Sequence, residues 1–142
     1  DAAKGRMSEP IPLEQFDLSS GLLARRFSIE QGVKEDGTPK FRCVDDESAN
    51  GTNGACRPTE KLVNEHIDQL LQIIARIWDS TGRAPGLWKA DVDAAYRRVP
   101  VVSHHRRYLW VVIKHAGQIW VARHNATCFG ATASVHAWPP LN

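Results

Sequence analysis

Between Arg26 and Val33 the side chains Phe27, Ile29, Gln31 and Val33 fall on one face of an extended strand. Lys40 to Val44 alternates less cleanly. Asp36-Gly37 lies between the two runs and is a hairpin turn signal, so a β-hairpin is expected over about residues 25–45. Residues 46–58 read as loop, with Asn50-Gly51-Thr52-Asn53-Gly54 closing at Pro58. The period then changes. Val63, Ile67, Leu70, Leu71, Ile74, Ile77 and Trp78 follow helical spacing. With Thr59 as N-cap and Gly82 as C-cap, the pattern predicts a helix over about 60–80 that buries a continuous apolar face.

Beyond Pro85-Gly86, Leu87 to Asp93 reads as a short strand and Ala94 to Arg98 as a turn of helix that ends before Pro100. Tyr108 to Lys114 and Gln118 to Arg123 are β-prone and joined by His115-Ala116-Gly117, which predicts a second hairpin with Trp110 and Trp120 paired across it. Phe129 to Trp138 starts a helix that Pro139-Pro140 stops. Residues 1–24, with Pro10, Pro12 and the stretch Asp17 to Gly21, read as an extended N-terminal arm, and 25–142 as a single domain. Hairpin, helix, strand, hairpin and helix in that order argue an α+β fold rather than a doubly wound parallel sheet.

Composition narrows the class without changing this order. The 142 residues are 42% hydrophobic and 24% charged, ordinary for one soluble domain. No run approaches the ~18–20 uncharged apolar residues of a membrane span, so no transmembrane segment is expected. Cys43, Cys56 and Cys128 are odd in number and far apart, with no Cys-x-x-Cys. They read as free thiols of an intracellular, reducing compartment, and a Cys43–Cys56 bond is the alternative. Six histidines show no His-x-x-x-His spacing, so no zinc site is expected.

The formal net charge is only +2, but it is unevenly spread. Residues 1–82 hold ten Lys/Arg against fourteen Asp/Glu, whereas residues 83–115 hold seven against Asp91 and Asp93. A basic block beside two carboxylates suits the handling of phosphates, with a solvated basic surface as the plainer alternative.

Three stretches carry a family resemblance. Asp91-Val92-Asp93-Ala94-Ala95-Tyr96-Arg97-Arg98-Val99-Pro100-Val101 resembles the first palm motif of retroelement reverse transcriptases. In those enzymes an Asp is followed five residues on by an aromatic and then by an apolar-Pro-apolar tail. Phe129-Gly130-Ala131-Thr132-Ala133-Ser134-Val135-His136-Ala137-Trp138 looks like the next palm motif, with Cys128 where the family has proline. Lys40-Phe41-Arg42-Cys43-Val44-Asp45-Asp46 is similar to the fingers strand. The resemblance covers residues 25–138.

It implies that Asp91 is the catalytic carboxylate holding Mg²⁺, and that Tyr96 packs under the incoming sugar. It implies that Gly130 lets the nucleotide approach, and that Arg42, with Lys40 second, contacts the triphosphate. The implied fold is a fingers-like β-hairpin plus a long helix packed on a partial palm-like antiparallel sheet. The family's Tyr-x-Asp-Asp hairpin should follow the second palm motif and is not found before Asn142. The expectation is therefore a segment that binds nucleic acid (RNA or DNA) or nucleotide and does not polymerise alone, which leaves enzyme activity open. The alternative is a structural or interaction subunit of a larger protein assembly that reuses a retroelement-derived fold without catalysis.

Overall fold

The first hairpin forms where the alternation places it. In the computed structural model, which describes residues 1–63 and 66–138, β2 (Leu23–Val33) and β3 (Pro39–Asp45) pair antiparallel. Arg26 lies opposite Asp45 and Ile29 opposite Arg42. Gly37 takes φ 80° in the turn, and the Asp36 carboxylate accepts hydrogen bonds from the Thr38 backbone N–H and hydroxyl. The chain divides into two units, residues 1–59 with 94–142, and residues 60–93.

The larger unit is a five-stranded sheet in the order β1-β5-β4-β2-β3. Its other strands are β1 (Ile11–Pro12), β4 (Trp110–His115) and β5 (Gln118–Arg123). The expected antiparallel sheet is not what forms. β2 and β4 run parallel, from Leu23 opposite Trp110 to Arg25 opposite Val112, so the sheet is mixed. The hairpin reverses the chain and the long connection from β3 to β4 reverses it again, carrying it past β2 to the other edge of that strand, so β4 runs the same way as β2. Two short helices, α1 (Thr52–Ala55) and a helix at Thr132–Ala137, join 3₁₀ turns at Ala95–Arg98 and Ser103–Tyr108. The fold is thus mixed α and β with few helices.

Residues 1–24, read as an arm, take part in this sheet. β1 pairs with β5, Met7 forms a β-bridge with His124, and Met7 and Phe16 are buried. Met7, Ala24, Val111 and Ala122 make the core, with Ile113 against it. The apolar face of the first hairpin is largely outside that core. Phe27, Ile29 and Val33 are exposed, and lie on the part of β2 that pairs with β3 alone. The second hairpin turns at Ala116 and Gly117, φ 49° and 79°, as a two-residue turn with two left-handed residues requires. Its register sets Trp110 opposite Arg123 and Trp120 opposite Ile113, so the two tryptophans are not partners.

The smaller unit holds one helix, named α2 here (Ile67–Thr81); the helix at Thr132–Ala137 is α3. α2 begins later than its apolar period suggested. His66 is its N-cap, with the Gln69 side chain accepting the His66 backbone N–H, and Thr59 caps nothing. Residues 64 and 65 of the expected helix lie outside the described residues. Gly82 closes it at φ 65°, its N–H bonding the Trp78 carbonyl. No residue of α2 is buried, since a 34-residue unit with one helix offers it no second layer to pack on. Leu87 to Asp93 forms no strand, for no described strand borders it to make a ladder.

Candidate functional site

Asp45 at the end of β3 and His124 just after β5 bring buried charge together. Asp45, the final residue of β3, accepts two hydrogen bonds from Arg26, 2.7 Å from Nε and 3.0 Å from Nη2. This is the bidentate geometry that suits a guanidinium. His124 Nε2 lies 2.9 Å from the second carboxylate oxygen of Asp45. On the other side of the ring, Arg97 Nη1 is 2.7 Å from His124 Nδ1. A guanidinium can only donate, so Nδ1 accepts, Nε2 carries the proton, and the ring is neutral. Burial agrees, since it pushes the His124 pKa below its ordinary 6.5 against the pull of Asp45. Burial would raise the Asp45 carboxyl, but the hydrogen bonds from His124 and Arg26 outweigh it and hold the group below its usual value.

Arg97 comes from the 3₁₀ turn after Ala94 and is itself buried. It donates to the carbonyls of Ala126, Thr127 and Arg6, and pairs with Asp1 at 3.3 Å. Glu47, fully buried, accepts from Asn50 at 3.1 Å. Burial raises its pKa and also that of Cys128, whose thiol lies 3.8 Å from the Glu47 carboxylate.

This network supports a loop. The Asp45 N–H donates to the Phe129 carbonyl at 3.3 Å, and Gly130 follows at φ 108°. A Cβ on Gly130 would sit 2.0 Å from the Asp45 carbonyl oxygen, so the close approach needs glycine. Asn53 of α1 holds the loop from the other side, donating to the Gly130 carbonyl at 2.8 Å and accepting the Thr132 N–H at 2.7 Å. Phe129 then meets two of the sequence-derived candidates. The Arg42 guanidinium lies over its ring at 5.3 Å, and Tyr96 packs edge-on at 5.4 Å.

A pocket of about 260 Å³ opens here, lined among others by Arg6, Arg26, Arg42, Asp45, Arg97 and Phe129. Arg26 is paired with Asp45 and Arg97 with Asp1. Arg6 and Arg42 have no carboxylate partner among the described residues. The pocket therefore presents two uncompensated cations beside an aromatic ring.

The structure brings Arg42, Tyr96 and Gly130 to one corner. Lys40 is exposed further along β3 and does not line the pocket. Asp91 belongs to the smaller unit and is exposed. It joins no group of three ligating side chains among the described residues. The one such group among the described residues is Asp45, His124 and Cys128, with ligand atoms within 4.8 Å of one another. Arg26 Nη2 stands 3.0 Å from the Asp45 carboxylate and 3.2 Å from His124 Nε2, where a bound cation would have to be. The trio is a cation site already filled by an arginine. All three cysteines are free thiols, so the Cys43–Cys56 alternative does not form.

The buried network itself is absent from the sequence reading. Hairpin symmetry about Asp36 would set Arg26 against Asp46; the register shift between Glu30 and Val33 brings it to Asp45 instead, so the turn signal alone did not give that pair. His124 and Arg97 arrive through pairings distant in sequence and left no local mark. Compared with known proteins, the chain matches no family model and no curated protein sequence.

Proposed function

We propose that this chain is a reverse-transcriptase-like segment that binds a nucleotide, or a nucleic-acid backbone, at the Arg42–Phe129–Gly130 corner. One observation carries the reading. Arg42 and Tyr96, from separate stretches of chain, meet on the ring of Phe129 beside a glycine that has no room for a side chain. Arg42 lies over that ring and makes no ion pair among the described residues, which leaves its N–H groups for a phosphate. Asp91 and Mg²⁺ have no part in this binding step.

The test is fluorescence anisotropy with a labelled RNA–DNA hybrid, titrated across salt concentration with wild type and Arg42→Ala. Affinity should fall with salt, and the variant should bind several-fold more weakly, with a log–log salt slope smaller by about 0.9 for the one lost phosphate contact. Absent or salt-independent binding would reject the reading.

One observation favours the interaction-subunit alternative. α2 is amphipathic, and Ile67, Leu71 and Trp78 on it are more than half exposed. A contiguous apolar face of this kind is a protein-docking surface in many assemblies.

A further inference from the structure

His124 and Arg123 are neighbours at the end of β5, and consecutive residues of an extended strand point to opposite sides. The side away from the buried network holds a second basic site. The Arg123 guanidinium lies over the Trp110 ring at 5.6 Å, and that of Arg107 over the Tyr108 ring at 4.8 Å. With Ser103, His105 and others these residues line a pocket of about 530 Å³ that has no carboxylate in its wall. Neither arginine has an ion-pair partner among the described residues. Arg123 Nε is buried with no acceptor.

An arginine laid on an aromatic face is oriented by that face and keeps its in-plane donors. Arg107 uses one donor on the Tyr108 hydroxyl and has the rest to offer. The wall is also firm. A Cβ at Gly21 would come within 2.5 Å of both Trp110 and the Arg107 carbonyl, and the Leu22 N–H bonds that carbonyl at 3.0 Å. Along the rim run further flat rings, His104 against His105 at 4.2 Å and His105 near Tyr108 at 6.5 Å. Arg106 is turned away to the Val101 carbonyl, so the basic block noted in the sequence divides its side chains between structure and surface.

We propose that this pocket binds single-stranded nucleic acid, with Arg107 and Arg123 on successive phosphates and the His105–Tyr108 rings against a base. Two guanidiniums without counter-charges and a row of rings on one wall match a chain that repeats a phosphate and a flat base. An acidic peptide would use the cations and leave the rings idle. This site is separate from the Arg42 corner, and the two fail independently.

The experiment is anisotropy with a 5′-labelled 12-nucleotide oligouridylate, using wild type, Arg107→Glu and Arg57→Ala, each checked for an unchanged melting curve; Arg57 is exposed and lines neither pocket. If Arg107→Glu unfolds, Arg107→Ala takes its place. The Arg107 variant should bind about tenfold more weakly, with a salt slope smaller by about 0.7, the value for one single-strand phosphate. Arg57→Ala should stay within about twofold of wild type, since one exposed arginine elsewhere adds only weak general attraction. An abasic oligomer of the same length should bind more weakly than the uridylate. Equal affinity of wild type and Arg107 variant would overturn the proposal. So would abasic oligomer or polyglutamate binding as tightly as RNA, which would make the pocket a general polyanion or acidic-protein dock.

Discussion

Replacing Gly130 by alanine tests the joint between the buried network and the loop that carries Phe129. A Cβ there would lie 2.0 Å from the Asp45 carbonyl oxygen, whereas real Cβ atoms stay beyond 3.0 Å. β3 or the loop must therefore move by an ångström or more. Neither yields easily, because Asp45 is tied to Arg26 and His124, and the loop to Asn53. The residue also sits at φ 108°, which costs a non-glycine residue about 1–3 kcal/mol. Forcing the extra methyl into a filled space adds about 1–3 kcal/mol more. A loss of about 4 kcal/mol follows, or roughly 8–16 °C in Tm for a chain of this size.

Gly37→Ala is the matched control. It has φ 80° with nothing within 4 Å of the added Cβ, so it meets the backbone strain alone. Urea denaturation followed by circular dichroism should separate the two variants by about 2 kcal/mol, the overpacking share. If they lie within about 0.5 kcal/mol, the size of an ordinary surface substitution, Gly130 is not wedged against β3 and the reasoning fails.

Lowering the pH should destabilise the fold from about pH 6.5 downward. Burial depresses the His124 pKa, so below 6.5 the unfolded chain takes up a proton that the folded chain refuses. Glu47 acts in the opposite sense: its raised pKa adds stability at low pH that is lost as pH rises above 4.5 and through its folded value. In a Glu47→Gln variant, which removes the opposing group, the urea midpoint should drop between pH 7.5 and 5.5, and one that does not would contradict a neutral, buried imidazole. Asp45→Asn removes the charge that Arg26 faces and should cost about 3 kcal/mol or more, as breaking one side of a buried pair does. A differential scanning calorimetry trace unchanged from wild type would refute that.

Elements with a strong local signature were legible in the sequence. Asp36-Gly37 and Ala116-Gly117 placed both hairpins, and Gly82 the end of α2, because turn and cap geometry depends on a few adjacent residues. The start of α2 was not, since Val63 keeps the apolar period but His66, with Gln69, supplies the cap that the backbone uses. The parallel β2–β4 pairing was hidden for another reason: strand direction depends on how a long connection returns, which no local pattern records. Of the candidate site, Arg42, Tyr96 and Gly130 were found by motif and lie together on Phe129. Phe129 itself, the surface they share, carries no signal in the sequence apart from its place in a motif. The Arg26–Asp45–His124–Arg97 network escaped because buried polar groups look like surface ones until their partners are known. Asp45 stands in the sequence only as the end of the fingers-like stretch, yet it is the buried acceptor at the centre of the fold's charge network.

The most direct measurement is a set of ¹H–¹⁵N correlation spectra recorded while a deoxynucleoside triphosphate is titrated into the full chain. Amide shifts concentrated at Arg42, Phe129 and Gly130, lost in Arg42→Ala, are the expected result. Saturating nucleotide that leaves those three amides in place, in a protein whose spectrum is otherwise well dispersed, would contradict a nucleotide site at this corner.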